Sequence, residues 1–238
     1  MALPKLDATP KYELTIPSTG ETLKYRPFLV KEQKVLLIAF ESQDPKQVLK
    51  TIIDCIGQCS DSKDVKKLAT FDVDYIFTKI RSKSVGEISK VGYKCQSCEA
   101  DMEVNINLEE LEVKGQLRDN KVVDITDTIK INMKYPSYLD LINDANIFSE
   151  ETSSTEKIFS TLMHSMDSIM TEEENINLKD ESKEEIETFI NSLTGEQFER
   201  ISNFMDDLPK ITYKKEHTCL SCNHENEIEL EGLQDFFS

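Results

Sequence analysis

The chain has 238 residues, of which 38 % are hydrophobic and 31 % charged, and 28 Lys and Arg against 45 Asp and Glu leave a net charge of −17. That length buries a real core without disulfides, as one large domain or two small ones. A surface this acidic repels phosphate backbones and anionic bilayers, which argues against nucleic acid and membrane as partners, and its plainest role is solubility.

No run approaches the ~18 apolar residues of a membrane span. Met1 to Asp7 lacks the basic-then-apolar pattern of a signal peptide, so a cytosolic chain is expected. In a reducing compartment, CxxC pairs point to metal or redox chemistry rather than structural disulfides.

Tyr12 to Ile16 alternates, Pro17-Ser18-Thr19-Gly20 turns, and Thr22 to Tyr25 resumes the alternation, which predicts a hairpin. Val30 to Phe40 is strongly apolar and reads as a buried helix. Lys31, Glu32 and Lys34 keep its first turn wet, or offer a contact to a partner. Asp44-Pro45 opens a second helix with a stripe of Val48, Leu49, Ile52, Ile53 and Ile56. Cys55 and Cys59 lie on or beside that stripe and read as core packing rather than as ligands. Ser60 to Lys63 is a polar loop. Asp72 reads as the cap of a third helix that turns Val73, Ile76, Phe77 and Ile80 inward.

Ser84 to Lys94 reads as a strand into Cys95-Gln96-Ser97-Cys98, and Met102, Val104, Ile106 and Leu108 mark the returning strand. Lys114 to Asn120 reads as loop, Ile125 to Met133 as one strand, and Pro136-Ser137-Tyr138 as a helix start. The run from Ile158 through Leu162 and Met166 to Met170 reads as one amphipathic helix, and Glu172 to Glu185 as an exposed linker. Ser182 with Glu185, and Thr194 with Gln197, form capping boxes for two short helices, the second ended by Pro209. Ile211 to Lys215 leads into Cys219-Leu220-Ser221-Cys222. The flanks of the two pairs match: Glu103-Val104-Asn105-Ile106 and Glu227-Ile228-Glu229-Leu230 stand at the same offsets.

Two such half-sites make one tetrahedral four-thiolate site for a single structural Zn²⁺ per chain, with Cys95, Cys98, Cys219 and Cys222 as ligands. Alternatives stay open. The pairs could be redox dithiols, although neither opens a helix after a strand. They could be relics without metal, they could hold an iron–sulfur cluster, or His224 could replace one cysteine. His164 and His217 stand alone. No phosphate-binding glycine loop, HExxH or nucleophile elbow is present, so no enzyme is expected. Glu172-Glu173-Glu174 reads as a solvated loop. Leu233, Phe236 and Phe237 complete the protein's own core or enter a partner.

The fold expected is α+β: an N-terminal hairpin plus helical lobe (1–83), a split zinc-ribbon-like pair of β-hairpins (84–108 and 210–238), and a mostly helical insertion (109–209). A rival reading is a zinc-ribbon nucleic-acid-associated accessory factor, for which Lys90, Lys94, Lys214 and Lys215 would supply a small basic face.

Arg26 to Lys34 (RPFLVKEQK), Leu36-Leu37, the run from Phe71-Asp72 to Arg81–Glu87 (ending RSKSVGE), the two CxxC pairs and Glu231 to Phe237 (EGLQDFF) together resemble the baseplate hub assembly proteins of T-even-type contractile-tailed bacteriophages. The resemblance implies a non-enzymatic morphogenesis protein with no catalytic residue. It implies contacts with other phage baseplate hub proteins and action in the host cytoplasm during assembly, with a place in the virion tail baseplate for some members.

Overall fold

A computed structural model describes residues 9–115, 117–118, 121–149 and 151–232. The Leu233, Phe236 and Phe237 ending lies outside the described residues. Helices and strands are mixed, as an α+β fold requires, and the chain divides into two compact units. One comprises Met1–Lys114 with Lys210–Ser238, the other Gly115–Pro209.

The first unit begins with the antiparallel hairpin of β1 (Tyr12–Thr15) and β2 (Thr22–Tyr25). Gly20 closes its turn at φ 71°, a backbone angle that side chains other than glycine adopt at a cost. Helix α2 (Pro45–Cys59) starts as the sequence predicts, with the Asp44 side chain accepting from the N–H groups of Lys46 and Gln47. Its stripe of Leu49, Ile52, Ile53, Cys55, Ile56 and Cys59 is buried. Helix α3 (Thr70–Val85) buries Val73, Ile76, Phe77 and Ile80 almost completely.

Two expectations in this unit are corrected. Asp72 is not the helix cap; Ala69 holds that position, and Asp72 sits fully buried in the first turn. Its carboxylate reaches the turn of the first hairpin instead, accepting from the Ser18 N–H at 2.9 Å and from the Ser18 hydroxyl. Helix α1 (Val30–Glu41) forms where expected but is not buried: only Glu32, Leu36 and Ala39 face inward. It packs on α2 through this one narrow face. Glu32, expected in a wet turn, is its anchor. One carboxylate oxygen accepts from the Leu29 N–H at 2.8 Å and the other from Arg26 at 3.0 Å.

Strands β3 (Ile88–Lys94) and β4 (Asp101–Asn107) form one antiparallel hairpin, and β10 (Lys210–Thr218) and β11 (Glu225–Glu231) a second. Their inward side chains, Val91, Val104, Ile106, Ile211, Ile228 and Leu230, share one core with Leu108 and Leu111, and Tyr75 of α3 packs on it. Burying this shared face is what joins two hairpins distant in sequence. A strand missed in the sequence, β5 (Val113–Lys114), pairs with β10. Lys114 therefore lies opposite Lys210, and the chain leaves and rejoins this unit at adjacent positions.

The second unit is a four-stranded antiparallel sheet in the order β6 (Val122–Asp124), β7 (Lys130–Met133), β8 (Met166–Met170), β9 (Asn175–Asn177). Helices α4 (Tyr138–Asn143), α5 (Ala145–Phe148), α6 (Ser154–Ser165), α7 (Lys183–Asn191) and α8 (Gly195–Asp206) complete it. Both predicted capping boxes are present, at Ser182 with Glu185 and at Thr194 with Gln197, and Ser153 with Glu156 makes a third. Ile131, Met133, Leu162, Met166, Ile201 and Phe204 centre the core.

Three expectations change here. The strand read over Ile125 to Met133 is a turn followed by β7, paired with the earlier β6. The helix read from Ile158 to Met170 ends at Ser165, and its last five residues are β8. β8 is a central strand with paired backbone on both sides, so sheet hydrogen bonds override a helix-like apolar spacing. The stretch read as linker carries β9 and buries Leu178, while Glu172, Glu173 and Glu174 are exposed.

Candidate metal centre

The β3–β4 and β10–β11 hairpins each end in a CxxC bend, and the two bends are built alike. The Cys95 N–H donates to the Ala100 carbonyl at 2.9 Å and the Glu99 N–H to the Cys95 carbonyl at 2.9 Å. In the second bend, the Cys219 N–H donates to the His224 carbonyl at 2.8 Å and the Asn223 N–H to the Cys219 carbonyl at 2.8 Å. Glu99 and Asn223, each directly after the second cysteine, take φ 57° and 58°. These left-handed residues turn each chain sharply enough for both thiols of a pair to face one point.

The four sulfurs converge. Cys95 Sγ lies 3.7 Å from Cys222 Sγ, and Cys98 Sγ lies 3.8 Å from Cys219 Sγ. All four lie within 4.8 Å of one another. A disulfide would need ~2.0 Å between sulfurs. A tetrahedron of sulfurs ~2.3 Å from a central ion has edges of about 3.8 Å. The spacing therefore fits four ligands around one ion, two from each bend. Among the described residues the cluster consists of these four cysteines, and the His224 side chain is exposed and outside it.

The surroundings stabilise thiolate charge. Burial works against ionisation of Cys95, yet the N–H groups of Cys98 and Ser97 and the Asn226 side chain hold its thiol down to about 6. The N–H groups of Cys222 and Ser221 hold Cys219 below the ordinary thiol range. Cys98 has a favourable Ala100 N–H, but crowding by the Cys222 sulfur, desolvation and the other two sulfurs push it up to about 12. Cys95 and Cys219 favour a thiolate, and Cys98 resists a further negative charge. A central cation would remove that conflict.

Asn226 was not singled out from sequence. It is fully buried on β11, and its carbonyl oxygen accepts from the Gln96 N–H in the first bend at 2.8 Å. Its amide donates to the carbonyls of His224 at 3.1 Å and His217 at 3.3 Å. The available signal was its place in the inward series Asn226, Ile228, Leu230, where a polar residue demands a partner.

The remaining candidates lie elsewhere. Cys55 and Cys59 are buried in α2. A hydrogen bond to Cys59 and burial push the Cys55 thiol far up, which keeps it a neutral core residue. His164 is not alone: its Nε2 lies 3.1 Å from Asp144 Oδ2, with Lys183 also at that carboxylate. His217 Nε2 lies 3.0 Å from the Tyr213 hydroxyl. Two of the four lysines of the basic face invoked for nucleic acid are ion-paired, Lys90 with Glu103 and Lys214 with Glu227 and Glu229. No helix among the described residues is long and apolar enough to cross a membrane.

A family model described as T4 bacteriophage base plate protein matches residues 9–238. The chain belongs to this T4-type phage baseplate family. No curated protein and no solved structure gave a match. The segments that carry the resemblance to baseplate proteins stitch the first unit together. Arg26 pairs with Glu32, and the Phe28 N–H donates to Ser84 Oγ at 2.9 Å, joining the RPFLVKEQK segment to the RSKSVGE segment. Within the latter, Ser82 and Lys83 both bond Glu109 beyond the β3–β4 hairpin. The family segments thus fasten the helical part of this unit to the hairpins that carry the cysteines.

Proposed function

We propose that this baseplate protein is a non-enzymatic morphogenesis factor that assembles the baseplate hub, or forms part of it, through contacts with other hub proteins in the host cytoplasm. Cys95, Cys98, Cys219 and Cys222 hold one structural Zn²⁺ per chain. The observation that carries the metal reading is the near-tetrahedral spacing of four thiols from two separate hairpins. Zinc suits it because a four-thiolate set matches the ion's preferred ligands and leaves no position for water or substrate. A multi-iron cluster would stand between its ligands and hold them further apart than a single ion does.

The ion acts as a clasp. It would tie the β3–β4 bend to the β10–β11 bend and so fix the ends between which residues 115–209 are inserted. Support for a role without catalysis comes from the family and from a closed ligand set. Disruption of the gene in the phage tests the assembly role. Loss of complete contractile tails, with the protein recovered bound to hub subunits during infection, is the expected result. Normal tails from the disrupted phage would contradict it.

A further inference from the structure

Helix α1 has the sequence of a buried helix, yet one face of it is uncovered. Val30 is 79 % exposed, Leu37 54 % and Ile38 51 %. Lys34, Leu37 and Glu41 follow one another at spacings of three and four residues, the seam spacing of a helix that packs along a partner helix. Lys34 and Glu41 bracket the Leu37-Ile38 pair. Neither has an ion-pair partner among the described residues.

We propose that this face is a self-association surface whose occupant is α1 of a second copy, packed antiparallel about a two-fold axis. The commitment to a second copy rests on self-complementarity. With the axis between residues 37 and 38, Leu37 of each copy meets Ile38 of the other, and Lys34 of each copy lies toward Glu41 of the other. An isologous contact needs this reciprocity, in which one patch carries both charges and an apolar centre. Antiparallel packing also sets the two helix dipoles against each other favourably. Lys34 and Glu41 thereby gain the partners they lack in one copy.

A single helix pair covers less than a standard interface of ~800 Å² per partner, so the association is expected to depend on concentration. Sedimentation equilibrium of the full chain over a wide concentration series tests it. A reversible monomer–dimer equilibrium is expected. Lys34→Glu and Glu41→Lys, each placing like charges together, should weaken the dimer by about tenfold or more, and Leu37→Asp should do the same. The double variant Lys34→Glu with Glu41→Lys should restore it. These positions are exposed, so circular dichroism and metal content should match the parent in every variant. A chain that stays monomeric throughout, a dimer indifferent to all three single changes, or a double variant that fails to recover would overturn the proposal.

Discussion

The side-chain carbonyl of Asn226, on the second hairpin, accepts the backbone N–H of Gln96, in the first cysteine bend, at 2.8 Å. One buried carboxamide therefore spans the two halves of the four-cysteine cluster while its amide satisfies carbonyls within its own hairpin. At the equivalent position of the first hairpin stands Met102. Replacing Asn226 by methionine would match that residue but orphan the Gln96 N–H. The expected cost is about 1–3 kcal/mol in chemical denaturation. A further expected effect is weaker metal retention against a chelator, because the first bend loses its tether. A variant as stable and as metal-retentive as the parent would remove Asn226 from this role.

Acid should loosen the anchor of α1. Burial works against ionisation of Glu32, but Arg26, the Leu29 N–H and Lys31 hold its carboxyl below the ordinary value of 4.5. Because the folded value is depressed, this contribution is complete above about pH 4.5 and fades as pH falls through the lower folded value. Arg26→Met leaves the carboxylate buried with weaker compensation and should cost about 2 kcal/mol or more at neutral pH. Glu32→Gln should flatten the acid limb of a stability–pH curve relative to the parent.

Cys55 and Cys59 should be dispensable for metal. Both are packed in the α2 core and stand apart from the four-sulfur cluster. The double change to alanine should lower stability by roughly 1–3 kcal/mol through lost packing. Metal per chain, measured on the purified variant, should not change.

Gly115 marks the start of the second unit under tight steric control. Its φ is 126°, and an added Cβ would stand 2.7 Å from Pro209 Cα. Gly115→Ala should destabilise by about 1–3 kcal/mol through backbone strain and collision with backbone. Gly92→Ala, where nothing lies within 4 Å of the added atom, is the matched control for thermal denaturation.

Much of the fold was legible because local chemistry wrote it. The caps at Asp44, Ser182 and Thr194 and the stripe from Leu49 to Ile56 are short-range signals, and all appear in the structure. The four cysteines were legible as a set because two similar bends repeat the same flanks. What escaped was set by tertiary context. Met166 to Met170 reads as helix by spacing, but lies between β7 and β9 and takes their pairing. Val113-Lys114 is too short to announce a strand without β10 beside it. Asp72 looks like a cap until Ser18, far away in sequence, is brought to it. Helix α1 reads as buried because composition records that a face is apolar, not what covers it.

The central claim is that two distant hairpins share one metal ion. Elemental analysis of the purified chain, repeated for Cys95→Ser and Cys219→Ser, tests it most directly. One zinc per parent chain, lost from both variants although each changes only one bend, is the predicted result. Two zincs per chain, each lost with its own bend, or a folded parent purified without metal and unaffected by added zinc, would contradict it.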